Sequence, residues 1–214
     1  MGLDTKLSCM HLIVTTLENA EEADLDWWLQ VPHSVRIEGV ESAKADWLAM
    51  SGETMPKQYS DFEDLFRCLN SAQANYLVIG GYAVSYHVGP RYTKDIHIWI
   101  EATNDNAQRV SDALTDFIGD LGLTLAQLTR PETLIILGIP PNRVDILTHL
   151  EGIAFRDAWE RRCQGSFRQE PVPYLGLDDL IQAKQLAGRP QNLADLRPGE
   201  GNRSLPQCAF GKSH

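Results

Sequence analysis

The amino-acid sequence predicts an α/β (α+β) fold, in which helices pack against a β-sheet. The apolar run Tyr76-Leu77-Val78-Ile79 ends at Gly80-Gly81, as a buried strand does before a tight turn. Residues Asp95 to Glu101 alternate between isoleucine and polar or aromatic side chains, which is the period of a strand. The segments beside these strands carry apolar residues at helical spacing, and this alternation indicates an α/β architecture.

The remaining elements follow from the same periodicities. Between Tyr59 and Ala72, four apolar residues recur at helical spacing behind an acidic first turn, which predicts a helix. The further elements predicted are helices over residues 83–87, 104–117, 155–162 and 177–187, and strands over residues 133–137, 143–148 and 171–175.

The chain divides into three parts by composition. Residues 1–56 contain an acidic stretch followed by an amphipathic pattern, which predicts two helices and hence a helical N-terminal appendage. Pro56 marks a linker at its end, because proline disfavours helix at the preceding residue. Residues 57–197 hold the α/β pattern as one domain. Residues 198–214 contain several glycines and prolines and are expected to form a disordered tail.

Composition and charge limit the classes of function. The 214 residues include 43% hydrophobic residues and carry a formal net charge of −10, which argues against broad non-specific binding to nucleic acid. No apolar run reaches the roughly 18 residues of a membrane span, and the first residues lack the order of a secretory signal. We therefore expect a cytoplasmic protein without a membrane partner.

A glycine pair at the end of a strand is suited to binding phosphate. Without a Cβ atom, Gly80 and Gly81 let the backbone approach phosphate oxygens, and a following helix presents free N–H groups and a positive dipole end. Arg91 and Lys94 precede the next strand and offer further phosphate ligands. Each feature also has a purely structural interpretation. The glycine pair can be a plain strand-to-helix turn, and Arg91 and Lys94 can belong to a solvated loop.

Three ionisable side chains stand within the predicted strands. Asp95 and His97 occupy positions i and i+2 of one predicted strand and therefore lie on the same face. Asp145 stands within an apolar run, where an unpaired carboxylate is costly to bury. Carboxylates on neighbouring strands can hold a divalent cation beside bound phosphate. A structural salt bridge is the alternative role for Asp145.

The motifs occur in three stretches, VIGGYAVSYHVGPRYTKDIHIWIE, NRVDILTHL and DDLIQAKQLAGRPQNLADL. In order and spacing they resemble the minimal nucleotidyltransferases, in particular the group near the AbiEii-type toxins. The resemblance covers about Tyr59 to Leu196. It implies the nucleotidyltransferase (polymerase beta-like) fold, with a mixed sheet flanked by helices.

The resemblance also implies an activity and its site. The expected reaction is metal-dependent transfer of a nucleotidyl group from a nucleoside triphosphate to a hydroxyl of RNA, such as a tRNA end, or of a protein. Mg²⁺ or Mn²⁺ is the expected cofactor, and an antitoxin is the expected partner of a toxin of this type. The implied catalytic residues are Asp95 and Asp145, and the implied metal ligands are Asp95, His97 and Asp145. The implied nucleotide-binding residues are Gly80, Gly81, Arg91, Lys94, Lys184 and Arg189.

His97 departs from the family pattern, which has aspartate at this position. An imidazole can ligate Mn²⁺, Zn²⁺ or Fe²⁺ but is a poor ligand for Mg²⁺. Three interpretations stay open: a degenerate inactive site, an altered metal preference, and compensation by a nearby acid such as Glu101. The first leads to a rival function, in which a non-catalytic nucleotide-binding or regulatory protein keeps the fold and uses residues 1–56 as its interaction module.

Overall fold

The computed structural model of the protein describes residues 12–16, 18–19, 58–88, 93, 95–138 and 142–187. The elements in these ranges are, in chain order, β1 (Leu12–Thr16), α1 (Gln58–Ser71), β2 (Tyr76–Ile79), α2 (Gly80–His87), β3 (Asp95–Ile100), α3 (Asn104–Ile118), α4 (Leu125–Thr129), β4 (Thr133–Leu137), β5 (Arg143–Leu147), α5 (Phe155–Glu160), β6 (Cys163–Phe167), β7 (Glu170–Tyr174) and α6 (Leu177–Leu186).

The strands form one seven-stranded sheet of order β1-β4-β5-β3-β2-β7-β6. The pairs β3–β5 and β2–β7 are parallel, and the other neighbouring pairs are antiparallel. The expectation of an α/β fold with a mixed sheet flanked by helices is therefore confirmed. The strands β2 and β4 are completely buried, as their near-continuous apolar sequences predict. The strands β3 and β5 are largely buried as well, although each carries charged or polar side chains.

The core is built from the apolar side of the helices and one face of β3. Ile96, Ile98 and Ile100 are at most 1% exposed and belong to the same buried cluster as the apolar residues of α1 and α3. Phe66 of α1 stacks on Tyr76 of β2 with ring centroids 5.8 Å apart. Full burial of a side chain of this size contributes about 1.5–3 kcal/mol. The helices thus hold this face of β3 in place. The opposite face carries Asp95 and His97 near the start of the strand and the buried Trp99 further along.

A buried asparagine fixes the end of β3 that lies away from these polar residues. The Asn106 side chain accepts a hydrogen bond from the Asn75 N–H at 2.7 Å and donates to the carbonyl oxygens of Asn75, at 3.0 Å, and Glu101, at 2.9 Å. Buried backbone groups are costly to leave unpaired. Asn106 therefore joins the start of α3 to the start of β2 and the end of β3.

The structure corrects the expected character of the N-terminal part. Leu12–Thr16, expected to belong to a helical appendage, is an edge strand that pairs with β4 along all five residues. Its sequence, LIVTT, contains four β-branched residues in a row, which favour strand over helix. These residues belong to the sheet, and a boundary at residue 56 does not separate them from it.

Other differences concern short elements. Helix α4 and strand β6 were not predicted, and α2 begins at Gly80 rather than at residue 83. Apart from residues 18–19, which form a turn, the two helices expected within residues 18–50 lie outside the described residues. The linker before Gln58 and the tail over residues 198–214 also lie outside them. Within the part of the chain that the structure describes, none of the helices has the length and apolar character needed to cross a membrane.

Candidate metal and phosphate site

Asp95, His97 and Asp145 meet on one face of the sheet, near the start of β3. Asp95 and His97 alternate along β3, and His97 lies beside Asp145 in the parallel register with β5. One ligand atom from each side chain lies within 4.8 Å of the other two. His97 Nε2 is 3.4 Å from Asp95 Oδ2 and 3.2 Å from Asp145 Oδ2. The imidazole therefore stands between the two carboxylates.

Arg143 is a fourth member of this group. It precedes Asp145 by two residues on β5 and lies beside Asp95 in the register with β3, so all four side chains share a face. Its Nε donates to Asp145 Oδ1 at 2.6 Å and its Nη2 to Asp145 Oδ2 at 2.9 Å. This bidentate pair is almost completely buried. It supplies the salt bridge that a carboxylate in an apolar strand requires.

The glycine turn at the start of α2 packs directly against this group. A Cβ atom at Gly80 would lie 2.7 Å from His97 Nδ1, and a Cβ atom at Gly81 would lie 2.6 Å from Thr93 Oγ1. Gly80 has a φ of +66°, a conformation that residues with a side chain rarely adopt. The two glycines therefore let the turn approach β3 closely. The immediate neighbour of the Gly80 backbone is the His97 ring.

Helix α2 begins without a side-chain cap. The N-cap residue, Ile79, has no side chain that could accept a hydrogen bond from the first turn. The first N–H groups of a helix have no partner within the helix, and they carry its positive dipole end. The candidate phosphate-binding amides thus lie in the same small region as the three candidate metal ligands.

Thr93 orients the Asp95 carboxylate. The Thr93 hydroxyl lies within hydrogen-bond distance of the Asp95 carbonyl oxygen, at 3.1 Å, and of Asp95 Oδ1, at 3.3 Å. Oδ1 thus faces Thr93, while Oδ2 faces His97. Thr93 also contacts Gly81, so one side chain joins the glycine turn to the acidic group.

The charges of the group shift the pKa values of Asp95 and His97 in opposite directions. Burial acts to raise the pKa of Asp95, but the hydrogen bond and charge of His97, together with Arg143 and Thr93, lower it to about 2. Burial acts to lower the pKa of His97, but its hydrogen bonds and charge interactions with Asp145 and Asp95 raise it to about 10. Without a bound cation, the two carboxylates are thus balanced by Arg143 and a protonated His97.

The donor set fits a divalent cation that accepts nitrogen. Ligands that share one ion at about 2.1 Å lie within about 4.2 Å of each other, so donors within 4.8 Å need only small rotations. The ion must displace the proton of His97, because only the neutral imidazole ligates metal. Two carboxylates and an imidazole suit Mn²⁺, Zn²⁺ or Fe²⁺ better than Mg²⁺.

The other predicted site residues fall in different places. Lys184 is half-buried on α6, a helix that packs against α2. Arg91, Lys94 and Arg189 lie outside the described residues. Glu101, considered as a substitute ligand, follows the far end of β3, where its Oε2 accepts a hydrogen bond from Asn75 Nδ2 at 2.8 Å. The geometry therefore speaks against compensation for His97 by Glu101.

Sequence analysis did not identify Thr93 and Arg143. Thr93 stands two residues before Asp95, and Arg143 two residues before Asp145. The strand period would have brought Arg143 to the metal face. The contact of Thr93 with Gly81 has no such signal, because it depends on how the turn folds back onto β3.

Comparison with known proteins adds no family to this description. No family model matches the chain, and no curated protein matches it. The chemistry of the site is inferred from the arrangement of its own residues.

Proposed function

We propose that the protein binds a nucleoside triphosphate together with a divalent cation and transfers the nucleotidyl group to a hydroxyl of RNA, such as a tRNA end, or of a protein. The hydroxyl oxygen forms a bond to the α-phosphorus, the bond to the β-phosphate oxygen breaks, and pyrophosphate leaves. The observation that supports this proposal most strongly is the contact between His97 and the turn at Gly80. It brings the carboxylates of Asp95 and Asp145 next to the uncapped N-terminus of α2. A triphosphate at this position could reach the helix amides and the cation together.

The two carboxylates have different surroundings, which assigns them different tasks. Asp145 is 5% exposed and is held by Arg143, so it is suited to fixing the position of a cation. Asp95 is 28% exposed and makes no such bidentate pair among the described residues, so it is the carboxylate that an incoming hydroxyl could reach. Because the pKa of Asp95 is low, it could accept the proton only where a cation also lowers the pKa of the hydroxyl. The amides of Gly81 and the following residue would bind phosphate oxygens.

A bound cation would supply charge neutralisation on the triphosphate oxygens and a lower pKa for the attacking hydroxyl. With His97 among its ligands, the site should work better with Mn²⁺ than with Mg²⁺. The resemblance to toxin-type nucleotidyltransferases suggests tRNA or a partner protein as the acceptor and an antitoxin as a binding partner.

A second candidate function is nucleotide binding without transfer, as in a regulatory protein. It is favoured by the ion pairs of the group, because His97 and Arg143 place two cationic side chains against two carboxylates. A group already balanced in this way has less attraction for a divalent ion. In this case the N-terminal region would serve as the interaction module.

Transfer of label separates the two functions. The protein is incubated with nucleoside triphosphates labelled at the α-phosphate, with total tRNA or with protein as acceptor, in Mg²⁺ and then in Mn²⁺. We expect labelled acceptor in Mn²⁺ and loss of at least about 99% of the labelling in Asp145→Asn, since a metal ligand contributes several kcal/mol to such a reaction.

The matched control is Asp179→Asn. Asp179 is also buried and also forms a bidentate pair, with Arg161, but it lies on α6. This variant should keep most of the labelling if its fold is intact. Bound but untransferred nucleotide in both metals would instead favour the regulatory function, and absence of nucleotide binding would exclude both.

A further inference from the structure

Arg143 forms hydrogen bonds to the carboxylate of Asp145, which is one of the candidate ligands of a bound cation. Its guanidinium donates to both oxygens of Asp145, at 2.6 Å and 2.9 Å. Asp145 Oδ2, which receives Nη2, is also the oxygen that lies 3.2 Å from His97 Nε2. The oxygen that faces the centre of the group thus already has two nitrogen neighbours.

A carboxylate oxygen has two lone-pair positions, so a cation can still bind Asp145. It must, however, approach an oxygen shared with His97 and Arg143, next to a guanidinium that carries a full positive charge. An arginine in a protein stays charged. The repulsion from Arg143 therefore persists when the cation is bound.

Burial strengthens this repulsion. The Arg143 side chain is 11% exposed and that of Asp145 is 5% exposed, so water screens their charges only weakly. Arg143 also faces Asp95 in the register of β3 and β5, and its charge acts on both carboxylates. Both carboxylate ligands of the cation are therefore under its influence.

We propose that Arg143 is the internal counter-ion of Asp145 and that it keeps the affinity of the free protein for a divalent cation low. The inference rests on the proposed function, because it concerns the same cation. A triphosphate adds several negative charges beside the group and would offset the charge of Arg143. Cation binding then depends on the nucleotide, and Arg143 acts as a positioning residue that sets this dependence.

Binding of Mn²⁺ alone, without nucleotide, tests the role of Arg143. The free Mn²⁺ concentration is followed by electron paramagnetic resonance for the parent protein, Arg143→Gln and Arg143→Lys. Arg143→Gln removes the charge, and we expect Mn²⁺ to bind at least about tenfold more tightly, equivalent to about 1.4 kcal/mol. Arg143→Lys keeps the charge but loses the bidentate geometry, and a gain of about two- to fivefold is expected.

Arg161→Gln is the matched control, since Arg161 holds Asp179 through the same two-point contact. It should leave Mn²⁺ affinity unchanged. If Arg143 had a purely structural role, Arg143→Gln would loosen the site and weaken Mn²⁺ binding rather than strengthen it.

The outcomes separate the inference from the function on which it rests. If the parent protein binds Mn²⁺ and folded Arg143→Gln binds it no better, the inference fails while the cation site stands. If neither protein binds Mn²⁺ without nucleotide, the inference fails, and absence of Mn²⁺ binding in the presence of a nucleoside triphosphate as well would overturn the proposed function. Where Arg143→Gln does not fold, Arg143→Lys decides, and an affinity equal to or below that of the parent overturns the inference.

Discussion

At the scale of single residues, His97 joins the two halves of the candidate site. Its Nδ1 faces the Gly80 backbone, and its Nε2 faces both carboxylates. One ring therefore fills the space between the glycine turn and the acidic pair. A substitution of His97 should change the charge beside the carboxylates and therefore the affinity for a cation. A substitution of Gly80 should change the packing against the His97 ring and therefore the stability of the fold.

Replacement of His97 by aspartate should strengthen Mg²⁺ binding. The change removes an imidazole that carries a positive charge and adds two oxygen ligands beside Asp95. We expect the affinity for Mg²⁺ to rise at least about tenfold, since one charge pair at close range is worth several kcal/mol even when partly screened. The gain should be smaller for Mn²⁺, which accepts imidazole. Both affinities can be measured by titration calorimetry.

The control for this change is Gln164→Asp, which introduces a carboxylate at an exposed position on β6. It should leave both affinities unaltered. A His97→Asp variant that binds Mg²⁺ no better than the parent would show that position 97 is not part of a metal site.

Replacement of Gly80 by alanine should destabilise the fold. The variant combines a strained φ with a Cβ atom 2.7 Å from His97 Nδ1. Gly122→Ala provides the control, because Gly122 has nearly the same φ, +67°, with nothing within 4 Å of its Cβ position. Strain alone costs about 1–2 kcal/mol, and we expect Gly80→Ala to exceed the control by at least about 1 kcal/mol in urea unfolding.

A double variant shows whether His97 causes the difference. In the His97→Ala background, the excess destabilisation by Gly80→Ala should largely disappear, because the clashing ring is absent. An equal cost in both backgrounds would mean that the turn does not pack on His97.

At the scale of elements, the sequence predicts the strands and helices that have a clear hydrophobic period or a sufficient length. The alternation of β3 and the apolar run of β2 identify both strands, and Ile96, Ile98 and Ile100 are buried together, as their shared face predicts. The sequence predicts that α2 starts at residue 83, three residues later than it does, because glycine has a low helix propensity. Here the turn places Gly80 against His97, and that packing outweighs propensity.

The elements that were missed have weak or short signals. Helix α4 has five residues, although Thr124 and Gln127 form a capping box that a search for that motif would find. Strand β6 is buried at both ends but contains Gly165, which lowers strand propensity. Gly165 lies against Tyr86 and Tyr174, a contact that only the tertiary structure creates.

The end of α2 gives a pH-dependent contribution to stability. His87 is buried, and its Nε2 lies 2.8 Å from the Leu175 carbonyl oxygen, to which it donates. Burial lowers the pKa of His87, and the hydrogen bond to Leu175 opposes this effect without cancelling it. The folded state therefore prefers the neutral ring. The contribution of the neutral His87 ring to the free energy of unfolding is complete above the pKa of about 6.5 that histidine has in the unfolded chain. This contribution is lost as the pH falls below that value.

Urea unfolding at several pH values between about 7.5 and 5 tests this contribution. Relative to His87→Gln, the parent should lose up to about 1.4 kcal/mol per pH unit below about pH 6.5, the limit for one proton. Parallel curves for the two proteins would show that His87 does not take up its proton on unfolding.

At the scale of the whole molecule, the sheet brings together residues that are far apart in the sequence. Asp95 and Asp145 meet because β3 and β5 are parallel neighbours, while β4 lies on the other side of β5. The resemblance to the minimal nucleotidyltransferases implies that these residues act together, but the sequence does not give this register. Nor could it show that Leu12–Thr16 pairs with β4, since a five-residue strand contacts a partner more than a hundred residues away.

The central claim is that one site binds the cation and the triphosphate together. Two ligands that favour each other's binding must do so by the same factor. Asp145 lies within this site, so its side chain should be necessary for the coupling, whereas that of Asp179 should not.

The most direct measurement is the affinity for a labelled nucleoside triphosphate with and without Mn²⁺, in the parent protein, Asp145→Asn and Asp179→Asn. We expect Mn²⁺ to tighten binding at least about tenfold in the parent and in Asp179→Asn, which corresponds to about 1.4 kcal/mol of coupling, and to have little effect in Asp145→Asn. An equal enhancement by Mn²⁺ in all three proteins would contradict a shared site at Asp95, His97 and Asp145.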